Sequence, residues 1–415
     1  MGYKFSECCR KIINENKVVL INRQNGQWTR ISKEVYDILN LGINNSLSIN
    51  KLKSNLYDDE DRKYMNLIYK NLCYIGVIED ENNKQVLKNK IVSFEITHRC
   101  NLRCIHCCIN ADEVISDKKD LTTEESERVL DKLIEWNPEI IMLSGGEPML
   151  RKDFIELLIY LKKHYKGKIV ISTNATLIND KNVNILAKCA YQIDISLDGI
   201  DEKTCSLVRG PGVFGKVINS VKLLNHAGFE KITLSMVVAD KNEQLESSFN
   251  KLNKKLGTKP IIRMFAPIGR GMNNKSYFSN LGENKSYLPK SYIKDILNGT
   301  INSCSCKGGR QELFISYNGN VYPCPSLMNQ NYLLGNVLSI KSISDLSVFK
   351  KKNYDLFDIL NSEIYRECKN CKVNLFCWTC PGTMERLKYN ELAIRDKCKK
   401  IRPILYKEVW GMNYK

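Results

Sequence analysis

Between residues 91 and 266 the chain repeats one rhythm six times: a short run rich in Ile and Val, a polar loop, then a stretch of helical period. The runs are IVSFEIT, EIIMLSG, KIVISTN, QIDISLD, KITLSMVV and PIIRMFA. Bursts of this length, separated by amphipathic segments such as TTEESERVLDKLIEW with Thr122 or Thr123 as its cap, predict strands alternating with helices. Repeated βα units pair as a parallel sheet with right-handed crossovers. Six units point to an α/β fold, a partial, TIM-like (β/α)6 barrel. In such folds chemistry sits at the carboxyl ends of the strands.

A chain of 415 residues is too long for one ordinary domain. Residues 1–80 read as a separate unit. KVVLINR and QWTRIS flank Asn25-Gly26, a two-residue hairpin signal. Three helices follow, the first capped by Ser32 and stopped by Gly42, the second capped by Ser48, and the third acidic at its start and ended by Gly76. VIED would close the sheet, giving a winged-helix plan. The polar stretch 81–90 reads as a linker, 91–300 as the barrel, and 301–415 as a less periodic region where cysteines return.

No apolar run approaches the ~20 residues of a membrane span, and the N-terminus lacks a signal-peptide core, so the cytoplasm is the expected compartment. Thiols stay reduced there, and 17 clustered cysteines, an odd number, suit metal ligation better than disulfides. The net charge of +17 is spread along the chain without a long basic run. General compositional bias explains it better than a nucleic-acid face, and an acidic peptide partner remains compatible.

The stretch CNLRCIHC places Cys100, Cys104 and Cys107 directly after the first barrel strand. One loop with this spacing can wrap three corners of a cuboidal iron–sulfur cluster and leave one iron open. The competing reading is zinc, with His98 or His106 as fourth ligand. One βα unit later comes Gly145-Gly146-Glu147-Pro148, whose glycines permit close backbone approach and whose carboxylate can accept a hydrogen bond from an ammonium.

These motifs resemble those of the radical S-adenosylmethionine (SAM) superfamily. The resemblance implies that SAM binds the open iron through its amino and carboxylate groups, that the GGEP loop contacts the amino group, and that reductive cleavage yields a 5′-deoxyadenosyl radical. It also implies that Ser196 and Arg209 hold the SAM carboxylate and that Asn174 lines the same cleft. The turn STNAT is similar to the family's TNG turn, with Ala175 in the glycine's place. APIGRG is similar to the PxGRG turn of peptide-modifying members; its Arg270 faces substrate or is purely structural. Cys108 reads as packing.

The C-terminal region resembles the SPASM extension. Cys306, Cys324 and Cys380 match the ligands of a first auxiliary cluster, and Cys368, Cys371, Cys377 and Cys398 those of a second. Cys304 either completes the first or leaves an iron open. A pair of zinc knuckles is the alternative. Three 4Fe–4S clusters are therefore expected. The N-terminal unit resembles the recognition element of enzymes that modify ribosomally made peptides, where a leader adds as a strand to the sheet edge. The acidic start of its third helix does not suit a phosphate backbone. The whole order resembles the peptide maturases: a thioether from a cysteine sulfur to a carbon of a precursor peptide, with flavodoxin or ferredoxin as reductant. Carbon–carbon cross-linking, other oxidative peptide modification, formylglycine formation and a nonenzymatic iron–sulfur DNA-binding regulator are the alternatives.

Overall fold

The run KVVLIN shows no apolar–polar alternation because both of its faces are covered. In the computed structural model, which describes residues 2–80, 90–112, 119–350, 355–378 and 380–414, the chain divides into two units. The first gathers the described residues of Met1–Leu87, Gly282–Lys307 and Lys352–Lys415. Its N-terminal part contains β1 (Lys4–Phe5), β2 (Cys9–Asn14), β3 (Lys17–Asn22), β4 (Trp28–Ser32), helices Lys33–Asn44, Ile49–Ser54 and Asp59–Tyr74, and β5 (Ile78–Glu79). Strands β2, β3 and β4 form an antiparallel sheet with β3 in the centre. Val18 and Leu20 point into a core with Val35, Leu39, Leu52, Met65 and Leu72 from the helices. Val19 and Ile21 point the other way, into a core with Ile301, Phe376, Leu405, Val409 and Trp410. A strand apolar on both sides is the signature of burial on both faces.

Several details differ from the sequence reading. The expected hairpin forms, with Ile21 opposite Trp28, but its loop spans residues 23–27 and within it only Gly26 takes a positive φ, of 75°. Strand β2 escaped notice because Cys9, Arg10 and Lys11 mask its pattern. Gly42 does not stop the first helix, which continues to Asn44. A Cβ at Gly42 would lie 2.2 Å from Tyr3 Oη, so the glycine makes room for that ring instead. VIED does not join the three-stranded sheet: Ile78–Glu79 pairs with Lys4–Phe5. The caps Ser32 and Ser48 each accept from a helical amide as expected. The segment 81–89 lies outside the described residues.

The second unit gathers the described residues of Lys88–Leu281 and Gly308–Lys351. It holds β6 (Ile91–Thr97), β7 (Ile140–Gly145), β8 (Lys168–Thr173), β9 (Gln192–Ser196), β10 (Ile232–Val238), β11 (Lys259–Met264), β12 (Glu312–Ile315), β13 (Asn320–Tyr322) and β14 (Gly335–Asn336). Strands β6 to β11 lie side by side in chain order and all pair in parallel, with helices between. Six strand expectations thus hold to within two residues at each end. Strand β12, which was not anticipated, adds in parallel to the other side of β6, with Leu313 opposite Val92. That pairing draws residues 308–351 into this unit. Among the described residues no helix is long and apolar enough to cross a membrane.

Candidate cluster and nucleotide site

All six parallel strands end on the same side, so the loops that follow them converge. The cysteine loop follows β6, and each of its three sulfurs accepts an N–H. Leu102 N lies 3.4 Å from Cys100 Sγ, Ala111 N lies 3.4 Å from Cys107 Sγ, and Arg209 Nη1 lies 3.7 Å from Cys104 Sγ. Asn174 Nδ2, at the end of β8, lies 3.9 Å from Cys100 Sγ. Donors aimed at sulfur suit thiolates that carry negative charge. Burial pushes the free Cys100 thiol up to about 12 and raises Cys104, the latter opposed by the Arg209 cation. Iron binding would displace those protons. Among the described residues no three Cys, His, Asp or Glu side chains converge closely enough to share one ion. A cuboidal cluster, by contrast, takes each thiolate at a different corner.

The two histidines considered as zinc ligands are engaged elsewhere. His98 Nδ1 lies 2.6 Å from buried Glu95 Oε1. His106 Nε2 lies 3.0 Å from Asp198 Oδ2.

Gly145 and Gly146 pack against the cysteine strand. A Cβ on Gly145 would lie 2.4 Å from Thr97 O, and one on Gly146 would lie 2.2 Å from Arg99 O. Gly146 N donates to Thr97 O (2.9 Å) and Glu147 N to Arg99 O (2.8 Å). Glu147 is wholly buried, and donors within the chain already occupy both of its oxygens. Oε1 accepts from Thr173 Oγ1 (2.7 Å) and Met149 N (3.1 Å), and Oε2 accepts from Asn174 N (2.7 Å). Burial raises its pKa against the pull of these donors. Pro148 opens a short 3-10 turn over Pro148–Leu150. The GGEP loop therefore staples the ends of β6, β7 and β8 together.

Asn174 is buried, and its amide bridges the cysteine loop through Asn101 Oδ1 at 2.9 Å. Ala175 adopts a left-handed φ of 59°, the conformation glycine would take more cheaply. Ser196 ends β9 and is half-buried. Two residues on, Asp198 also sits at positive φ, 56°. Its Oδ2 lies 2.6 Å from Arg209 Nη2, and its Oδ1 accepts from Val237 N at 2.6 Å. Although buried, Asp198 is held well below the usual carboxylate range by Arg209 and His106. Arg209 is correspondingly held above its usual range by Asp198 and Cys104, against its own burial. The sequence pointed to Ser196 and Arg209 without singling out this aspartate. The available signal was an Asp-Gly pair directly after a strand.

The PxGRG-like turn closes over the cysteine loop. Arg270 N donates to Cys107 O (2.9 Å), Arg270 Nε to Cys104 O (3.0 Å), and Asn274 Nδ2 to Ile105 O (3.0 Å). Gly269, at φ 56°, approaches so closely that a Cβ would lie 2.3 Å from Cys107 O. Cys108 is not core packing: it is exposed to solvent.

In the first unit, Cys368, Cys371, Cys377 and Cys398 line one cavity of about 420 Å³ with Trp378 and Arg402. The grouping expected for the second auxiliary cluster is thus present as a hollow with four thiols on its wall. Cys304 is buried beside Phe357, Tyr365 and Trp378, with Cys306, Cys368 and Cys377 packed against that core. Cys380 caps the helix Pro381–Leu387 in the same unit, whereas Cys324 belongs to the second unit.

Comparison with known proteins agrees with this geometry. Residues 94–252 match the radical SAM superfamily, and residues 304–381 match an iron-sulfur cluster-binding domain called SPASM. The mycofactocin maturase MftC of Mycolicibacterium smegmatis is 29% identical over 268 residues, covering 60% of this chain and 67% of its own. Among solved structures, Streptococcus suis SuiB bound to S-adenosylmethionine superposes with a TM-score of 0.51 at 18% identity, covering 90% of this chain and 94% of that one. Native anSMEcpe with bound AdoMet and Cp18Cys peptide gives 0.52 at 19% identity, covering 76% and 98%. The chain thus carries a region similar to the radical SAM superfamily over residues 94–252 and one similar to the iron–sulfur cluster-binding SPASM domain over residues 304–381, in a fold that it shares with SuiB.

Proposed function

We propose that the chain is a peptide maturase that forms intramolecular thioether links, from a cysteine sulfur to a carbon, in a ribosomally made precursor. The observation that carries this reading is the combination of radical SAM strand-end geometry, four thiols around one C-terminal cavity, and an N-terminal three-stranded sheet with helices. The likeness to a maturase supports it. Strands β2 and β4 are edge strands, the feature to which an extended leader peptide can add.

Cys100, Cys104 and Cys107 would hold the SAM-binding cluster, and the second-unit residues Asn174, Ser196 and Arg209 would line the SAM cleft. When bound, these cofactors supply a radical able to take hydrogen from an unactivated C–H bond. The chain's own work is positional. Glu147 fixes three strand ends, and Asp198 orients Arg209 at the Cys104 sulfur and balances its charge. The Gly269–Arg270 turn braces the cysteine loop from one side through the Cys104 and Cys107 carbonyls. Two further 4Fe–4S clusters in the C-terminal part, a flavodoxin or ferredoxin as reductant, and a cytoplasmic setting complete the proposal.

The test is co-expression with a short Cys-containing precursor followed by mass spectrometry. Each link should remove two hydrogens and leave no alkylatable thiol. Reductive cleavage of SAM with every precursor mass unchanged would reject the peptide reading while leaving the radical chemistry intact.

A further inference from the structure

The loop between β3 and β4, with Trp28 at the start of β4, ties the N-terminal sheet to residues 301–306. Ser303 N and Ser303 Oγ donate to Gly26 O at 2.8 and 3.0 Å. Cys306 N donates to Arg23 O at 3.3 Å, and Arg23 Nη1 donates to Cys304 O. Trp28 Nε1 donates to Ile301 O at 2.8 Å. Five hydrogen bonds thus tie residues 301–306 to residues 23–28. Arg23 is buried, stacks over the Phe357 ring at 3.8 Å, and places Nε 3.5 Å from Asp355 Oδ2. Asp355 is shared with Arg10 at 3.3 Å, Asp358 faces the same two arginines, and the Arg23 and Lys397 cations both face Cys304. Gly26 has no space for a side chain, since a Cβ would lie 2.8 Å from Ser303 O. A mere spacer between domains does not bury a cation in this way, because desolvating a guanidinium costs free energy unless its charge is used.

We propose that the Arg23–Gly26 loop is a latch that holds the Cys304–Cys306 segment in its metal-binding conformation, and that the Arg23 cation sets the redox potential of the auxiliary iron bound there. Arg23 is a positioning residue, and it makes the N-terminal domain part of the auxiliary site as well as a candidate peptide-binding unit. The latch depends on iron at the C-terminal cysteines and is independent of the bond made in any peptide.

Anaerobically reconstituted full-length Arg23→Gln, Arg23→Lys and Gly26→Ala chains separate the two effects. Readouts are EPR redox titration of the auxiliary signals and the rate at which a chelator removes auxiliary iron. In R23Q the auxiliary midpoint should move to more negative potential, because reduction loses a nearby cation, and iron loss should quicken several-fold. R23K should keep the midpoint but lose iron faster, since a point ammonium cannot bridge Cys304 O and Asp355 as the planar fork does. G26A should likewise quicken iron loss at an unchanged midpoint. The EPR signal of the SAM-binding cluster should stay the same throughout. Wild-type midpoint and wild-type iron retention in R23Q would overturn the proposal. If R23Q does not fold, wild-type iron retention in both R23K and G26A would do so.

Discussion

A carboxylate with no exposed surface needs hydrogen-bond donors on both oxygens, and Glu147 has three donors over the two. Replacing it with glutamine keeps the shape but turns one acceptor into a donor. Whichever way the amide is placed, an N–H then faces either the Asn174 amide or the Thr173–Met149 pair. Glu147→Gln should therefore cost about 1–3 kcal/mol of stability, the usual cost of a buried unsatisfied group. Urea denaturation of the metal-free chain should show it, and SAM affinity should fall because Asn174 loses its anchor. A stability equal to wild type would mean that the strand ends are held by other contacts. The residue identities here were legible as a motif, and the resemblance to the radical SAM superfamily gave the loop its expected place at the SAM amino group. Sequence cannot reveal that two glycines bring this carboxylate under Thr173 and Asn174, where the chain itself uses both oxygens. The partnership of Asp198 with Arg209 was hidden as well: Asp198 follows β9 and Arg209 ends the helix Glu202–Arg209 of the same βα unit, and only the path of the turn between them brings the two charges together.

At the scale of elements, the six strands after residue 90 were readable because each is a short β-branched run bounded by polar loops, and parallel burial enforces that pattern. Strands β2 and β12 were not, since a two-faced environment or a mixed sequence leaves no period to read. The Gly269–Asn274 segment shows the limit most clearly. Its motif suggested a turn, and Arg270 was offered either substrate or structure. Three hydrogen bonds from this segment to the carbonyls of Cys104, Ile105 and Cys107 favour structure. Arg270→Ala removes a charged donor from Cys104 O. A loss of about 1.5–3 kcal/mol is expected, as for hydrogen bonds to charged groups. The iron of the SAM-binding cluster should fall in parallel, while auxiliary iron stays. Peptide affinity should stay near wild type by fluorescence anisotropy. A variant with full iron but weakened peptide binding would return Arg270 to the substrate.

For the molecule as a whole, domains read from sequence come out as consecutive segments, because composition and periodicity carry no address for a distant partner. The first unit is instead assembled from three separated stretches, and its second core takes Val19 and Ile21 from the N-terminal sheet and Leu405, Val409 and Trp410 from the C-terminal helix. The four thiols of the C-terminal cavity come from two elements of that unit: the short turns around Cys368–Cys377, and the helix Glu391–Trp410 that carries Cys398. A cluster there would cross-link the helix to the turns, as metal binding stabilises folds whose ligands converge only in the native state. Cys371→Ala with Cys398→Ala should therefore remove about four irons per chain, the content of one 4Fe–4S cluster. It should also lower the thermal stability of the reconstituted protein. Peptide-free cleavage of SAM, which in the proposed function would draw on the Cys100–Cys107 loop in the other unit, should continue at a comparable rate. Iron analysis, calorimetry and 5′-deoxyadenosine measurement on the same preparation decide the matter. Retention of full iron in the double variant would show that these thiols share no cluster, and the cavity would then be a hollow with another occupant.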